Sequence, residues 1–383
     1  MAECRAWAER LSRDREFVAF LGYEWQPLAE DMGPRVAHAR GDWCVLYRDI
    51  EARPSRPLKL EEVFALLGPD RAVATPHHGG RRDSLTGFAQ DPAKAPSVEV
   101  ASMHDRSEWL GQKALALGWK AGFHGASDGH MGRPGYDVWP PKGGGGPPFR
   151  RRYEGERSAV TAVIADETTR EEIWRNWLSR RHYATTGPRI LLDVRCGETP
   201  MGGEVRTDRP PTLRVRVHGT AAVARVEVIR GDQLAHAAKP DAADVDLAWT
   251  DPDPLPGESA YYVRITQRDD ALAWSSPIYV TFTGPRAGER RELPAWNAAA
   301  WPDEADAQRD ADIEARAMEV FRRRCQTMEG FEELRAVGLH EDVRGRYVLI
   351  RGRLRGAQAQ WKVYWEFPDA RICGKPGKWN THG

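Results

Sequence analysis

At 383 residues the chain is long enough for two or three domains and at least one sizeable core. Its 56 Lys and Arg balance 56 Asp and Glu, so bulk charge gives no argument for a nucleic acid or a membrane surface as partner. No apolar run reaches the roughly 18 residues that a membrane span needs, and five cysteines without close pairing (4, 44, 196, 325 and 373) favour a reducing compartment over a disulfide framework.

The start, Met1 to Leu11, alternates charged and apolar residues and lacks the apolar core of a signal peptide. A cytoplasmic location is therefore expected for the chain as written, with an upstream signal in a longer form left open. Residues 3–16 predict a short polar helix. Phe17 to Leu21 is apolar on both faces, as in a buried parallel strand, and Glu24 follows at its carboxyl end, where α/β folds keep their chemistry. Trp43–Tyr47 reads as a second strand. Leu58–Leu67 has helical spacing and stops at Gly68-Pro69. Arg71–Thr75 is a third strand ending in Pro76-His77-His78-Gly79-Gly80, where paired histidines are costly as packing and cheap as ligands. Ser97–Ala101 is a fourth strand ending in Ser102-Met103-His104, with Asp105 or Ser107 capping a helix over Trp109–Leu117.

Lys120–Phe123 then leads into Gly122–Gly135, which carries Asp128-Gly129-His130 between glycines that allow a sharp turn. If this stretch ends a strand, residues 128 and 130 point to one side and aim a carboxylate and an imidazole at a common point. His124 is an extra imidazole beside that corner. Glu24, His77, His104, Asp128 and His130 make a mixed imidazole and carboxylate set that suits zinc, manganese or iron better than magnesium or calcium. Two ions bridged by a carboxylate would stand about 3.5–4 Å apart, and a metal-bound water with its pKa lowered towards about 7 would be the nucleophile. No side chain is singled out as catalytic acid or base. His78, Arg81 and Arg133 are candidates to hold an anionic substrate group, and each also reads as a solvated surface residue.

Residues 137–157, rich in Gly and Pro, read as a loop without the Lys-Ser/Thr of a phosphate-binding turn. Ala159–Ile164 is a strand, and Thr168 or Thr169 caps a helix over Arg170–Arg181 with Glu171 and Glu172 in its first turn. From Ile190 to Phe282 the rhythm changes to period two. Leu213–Val217, Arg225–Ile229, Tyr261–Ile265 and Ile278–Phe282 alternate apolar and polar residues, as in the short antiparallel strands of a β-sandwich. A charged helix over 305–324 and two strands, Tyr347–Ile350 and Trp361–Trp365, form the tail.

Five segments form a set: Gly22–Trp25, Thr75–His78, Val98–His104, Gly125–Gly135 and Arg181–Ile190. Over residues 15–205 the chain resembles the PHP-like metallohydrolases of domain of unknown function 3604, PHP standing for polymerase and histidinol phosphatase. The resemblance implies a distorted β/α barrel with two or three divalent ions at its strand ends. It casts Glu24 as the bridging carboxylate, His77 and His104 as the middle imidazoles, and Asp128 with His130 as the closing pair. The implied activity is hydrolysis of a phosphoester or related ester in a small anionic molecule. Such barrels open with a His-x-His strand end, and no histidine precedes Glu24 here, so the chain corresponds to the carboxyl-terminal part of a longer family member.

The expected fold is α/β: the C-terminal part of a PHP-like distorted β/α barrel (1–189), a small antiparallel β-sandwich (190–284), a linker (285–304) and a short α+β tail (305–383). Strand edges exposed by a partial barrel are an aggregation hazard unless homo-oligomerisation or rearrangement covers them. The alternative is a catalytically impaired remnant that serves as a binding or structural module.

Overall fold

The computed structural model describes residues 2–26, 41–49, 59–77, 85, 89–102, 106–129, 158–284, 309–324, 331–342, 345–354, 357–364 and 371–375. It is a mixed α/β chain, mostly strands, that divides into two compact units, Met1–Glu289 and Arg290–Gly383. No helix among the described residues is long and apolar enough to cross a membrane. Cys4, Cys44 and Cys196 are free.

The first unit opens with α1 (Ala2–Leu11), which turns Ala8 into the core and carries an Arg5–Glu9 pair one turn apart on its surface. Strands β1 (Leu21–Trp25), β2 (Asp42–Tyr47) and β3 (Ala72–His77) form an antiparallel sheet in that order, with α2 (Leu60–Leu66) between the last two. The Glu62 carboxylate accepts from the Lys59 N–H at 3.0 Å at the start of α2. A second, two-stranded sheet pairs β4 (Ser97–Ala101) in parallel with β5 (Gly122–Gly125) through the crossover helix α3 (Glu108–Ala116).

Two expectations are corrected here. The first strand is not Phe17–Leu21: Phe17 closes a tight turn with Arg13 and stands 53% exposed. Leu21 and Trp25 are the buried residues, so burial moves the strand four residues on and puts Glu24 inside it rather than beyond its end. Nor are the first strands parallel; β1 to β3 are antiparallel, and among the first five only β4 and β5 run together.

The third sheet of the first unit has eleven strands and curls into a half-barrel. After β6 (Val160–Val163), α4 (Arg170–Leu178) starts at Thr169, whose Oγ1 accepts from the Glu172 N–H at 3.2 Å as the sequence predicts. The helix stops at Leu178 instead of 181 because Arg180 takes a left-handed φ of +61°. There follow β7 (His182–Thr185), β8 (Leu191–Cys196), β9 (Thr199–Pro200), β10 (Glu204–Thr207) and β11 (Thr212–Arg230). The sheet ends with β12 (Gln233–Ala238), β13 (Ala242–Thr250), β14 (Gly257–Gln267), β15 (Leu272–Ser275) and β16 (Ile278–Phe282). Its path runs β6-β7-β15-β14-β11-β8-β9, with β12 and β13 on β11 and β16 on β14. The alternating valines of β8, β11 and β14 fill its core. The two strands read at 213–217 and 225–229 are one nineteen-residue strand, irregular in register between His218 and Arg225.

A smaller apolar cluster joins the two parts of this unit. Val100, Ala101 and Phe123 from β4 and β5 pack on Ile229, Tyr262, Leu272 and Trp274 from the large sheet. Beside it, buried Arg264 spans Glu227 on its own sheet and Glu108 on α3, at 2.7 Å each, and the Tyr262 hydroxyl donates to Glu108 at 2.6 Å.

The second unit packs α5 (Ala311–Arg324) on an antiparallel sheet, β17 (Phe331–Asp342), β18 (Gly345–Leu354), β19 (Ala357–Tyr364) and β20 (Arg371–Lys375). Ala317 and Phe321 of the helix meet Leu339, Val348, Ile350, Trp361 and Val363. The charged sequence of α5 thus hides a narrow apolar stripe.

Candidate functional site

The cross-strand register of β1, β2 and β3 places Glu24 opposite Cys44 and Cys44 opposite Thr75. His77, two residues past Thr75, shares its side of the sheet and is 3% exposed. Its Nδ1 lies 2.5 Å from Glu99 Oε2, in the middle of β4, a carboxylate only 1% exposed. Its Nε2 faces Asp128 Oδ2 at 3.7 Å. Asp128 holds a left-handed φ of +46° just past β5, a conformation Asp tolerates better than most residues.

Burial alone would push His77 towards the neutral form, but the Glu99 charge and the contacts of Asp128 and Cys44 outweigh it and hold its pKa far above the ordinary value. Burial raises the Cys44 thiol, with His77 opposing. The result is a buried imidazole oriented by one carboxylate and turned towards another. Such a pairing orients the ring and sets which nitrogen faces Asp128.

The structure therefore brings His77 and Asp128 together. Glu24 is exposed, its Oε1 accepting from Gln26 Nε2 at 2.8 Å, and its charge is felt at Cys44. His104, His130, His78, Arg81 and Arg133 lie outside the described residues. Among the described residues, no group of three or more His, Cys, Asp or Glu side chains has the arrangement to hold a metal ion. Sequence reasoning missed Glu99 and Cys44. The signal for Glu99 was a lone acid inside the otherwise apolar Ser97-Val-Glu-Val-Ala101 strand, which only a buried partner makes tolerable.

A second buried cluster lies along the same two strands, around Ser97, two residues before Glu99 on β4, and His124, the cross-strand partner of Glu99 on β5. Ser97 Oγ is 2.8 Å from His124 Nδ1 and 2.8 Å from His182 Nε2. Trp177 stacks on the His182 ring at 4.5 Å between centroids. Burial lowers both imidazoles: His182 falls to about 3, helped by the Arg180 charge, and His124 falls well below its ordinary value, helped by the charges of His182 and His77. Both are neutral at pH 7, and Ser97 is their shared partner.

Comparison with known proteins gives one family match. The model for "Protein of unknown function (DUF3604)" matches residues 148–209, the stretch from before β6 through β10 that includes His182. His77, Glu99 and Asp128 fall outside it. An uncharacterized protein of Chlamydia pneumoniae is 40% identical over 138 residues, which are 32% of this chain and 22% of the relative. Uncharacterized proteins of Chlamydia trachomatis and Chlamydia muridarum are 34% and 33% identical over the same shares. The chain thus spans about a fifth of the length of these relatives (22%). Among solved structures, fibronectin(III)-like modules of Clostridium thermocellum CbhA share 17% identity at a TM-score of 0.20, over 25% of this chain and all of that one. An engineered protein reaches 15% and 0.18 over 54% of each chain. Those two scores carry no argument about the fold. The family match and the chlamydial relatives together support placing this chain with the DUF3604 proteins.

Proposed function

We propose that this chain carries part of a metal-dependent hydrolase centre for phosphoester-type or related ester bonds. The observation that carries the reading is the buried line Glu99–His77–Asp128. Two ligands of a tetrahedral ion, each about 2.1 Å from it, stand about 3.4 Å apart, and the His77–Asp128 separation of 3.7 Å is close to that. A nitrogen and a carboxylate oxygen suit zinc, manganese or iron. A divalent ion there would supply Lewis acidity and draw a nucleophile from water near neutral pH. The chain's own part is to orient: Glu99 accepts the Nδ1 proton of His77 and leaves Nε2 facing Asp128. His104 and His130 are the sequence candidates for further ligands, and Glu24 is the candidate bridging carboxylate. His78, Arg81 and Arg133 are the candidates for a small anionic substrate. In this reading residues 1–189 belong to a PHP-like barrel, residues 190–284 form the sandwich, and the protein works in the cytoplasm as a homo-oligomer.

The second reading, a non-catalytic binding or structural module, is favoured by one observation: no described group of three donors can hold an ion. Metal content decides between them. The purified chain, exposed to zinc and manganese and desalted, should retain metal by mass spectrometry, and His77→Ala and Asp128→Ala should lose it. Equal metal in wild type and both variants would sink the placement of the centre. Negligible metal in the wild type would favour the module.

A further inference from the structure

Among the described residues, strand β5 has a sheet neighbour on one edge only. On that side Gly122 N–H donates to Pro96 O at 2.8 Å and Ala126 N–H to Ala101 O at 2.9 Å, as β4 and its flanks require. The alternate residues turn their N–H groups the other way, where a buried strand needs acceptors. Three hydroxyls supply them. Ala121 N–H donates to Tyr279 Oη at 2.7 Å, Phe123 N–H to Ser276 Oγ at 2.9 Å, and Gly125 N–H to Thr161 Oγ1 at 3.1 Å. Each hydroxyl also donates: Tyr279 to Ala121 O at 2.8 Å, Ser276 to His182 O at 2.5 Å and Thr161 to Gly125 O at 2.5 Å.

The three residues come from β6, the β15–β16 turn and β16, so side chains of the large sheet replace a neighbouring strand along the whole of β5. The approach is close enough to require glycine twice. A Cβ at Gly122 would lie 2.5 Å from His182 Nε2, and one at Gly125 would lie 2.9 Å from Val160 O. Asp128 follows three residues after Gly125, so the last of these contacts sets where its turn begins.

We propose that Thr161, Ser276 and Tyr279 are positioning residues for the candidate centre: they fix β5 and thereby hold Asp128 opposite His77. That they position a functional centre rests on the metal reading above; that they position Asp128 does not. The test uses the full chain, without metal, and reads amide hydrogen exchange together with the His77 ring resonances by NMR. Thr161→Val removes one hydroxyl at nearly constant shape, and Thr161→Ser keeps it. In Thr161→Val, exchange at Gly125 should rise roughly five- to tenfold, and the His77 ring signals should move. Thr161→Ser should restore both. Tyr279→Phe, which loses only Oη, is the second variant and should speed exchange at Ala121 by a similar factor while shifting the same ring signals. With zinc as probe, both should bind about tenfold more weakly.

Faster exchange or a lower Tm with unmoved His77 signals in both variants would overturn the proposal, because the hydroxyls would then only hold the fold. Unchanged metal content in His77→Ala and Asp128→Ala would instead overturn the functional reading alone, since exchange and ring signals are read without metal.

Discussion

The two parts of the first unit are stabilised in opposite ways. The large sheet is built on alternation: valines of β8, β11 and β14 meet inside, and charged residues such as Arg214 and Asp246 pair on the exposed side. Its strands hydrogen-bond to one another through the backbone. The part that carries the candidate site buries His77, Glu99, Ser97 and His124 among short strands, and half the edge bonding of β5 comes from side chains. Apolar burial stabilises without any one specific partner, whereas a buried polar cluster is stable only while every member keeps its partner. The sheet can therefore support the site, and the site depends on the sheet.

The sharpest way to break that dependence is at Arg264. It lies between Glu108 of α3 and Glu227 of β11, and its removal leaves two carboxylates buried side by side. Arg264→Leu should lose about 3–5 kcal/mol in urea unfolding, with α3 and β4 loosening first by hydrogen exchange. A loss under about 1 kcal/mol would mean that the two parts are not joined there.

Acid is the next lever, because the buried imidazoles sit where the two parts meet: His124 of β5 and His182 of β7 in the large sheet both bond Ser97 of β4. His182 has its pKa lowered to about 3 by burial and by Arg180, so between the unfolded value near 6.5 and that pKa only the unfolded chain takes up a proton. Stability must then fall as pH drops. The His182 share is about 2 kcal/mol between pH 7.5 and pH 5, and His124 adds to it in the same direction. His77, raised by Glu99 and the contacts of Asp128 and Cys44, works with the opposite sign. Its contribution is complete below about pH 6.5 and shrinks only as pH rises, so it does not mask the acid loss. Denaturant midpoints across this range should flatten in His182→Asn; an equal slope in the variant would remove His182 as the cause.

The smallest effect tests the sheet side. Thr169→Ala removes the cap of α4, which packs its Trp174 against the unit, and should cost about 1 kcal/mol. The His77 ring signals should stay unchanged. A shift there would mean that the site senses the helix as well as β5.

Much of the sheet was legible because alternation is a local signal. Leu213–Val217 and Arg225–Ile229 announce themselves as strands, and Thr169 with Glu172 announces a helix start. That the two strands are one was hidden, since Gly219 resembles a turn residue until the neighbouring Gln267 is seen against it. In the site part, His77 and Asp128 were legible as ligand types beside glycines. Glu99 was not, because its role depends on His77 lying 22 residues earlier. The Phe17–Leu21 strand failed because an apolar run does not say which of its residues will be covered; Phe17 stayed outside while Trp25 went in. The hydroxyl trio was illegible for the same reason at longer range: Ser, Thr and Tyr are ordinary strand residues until they meet β5.

That long range fixes an order of events during synthesis. Phe123 waits for Ser276, 153 residues later, and Ala121 for Tyr279, 158 residues later. At about 5–20 residues per second, the ribosome needs roughly 8–30 s to supply them. For that interval the edge of β5 at Ala121 and Phe123 lacks its acceptors on the nascent chain, whereas Gly125, next to the turn that carries Asp128, meets Thr161 only 36 residues on, so β5 closes from its carboxyl end backwards.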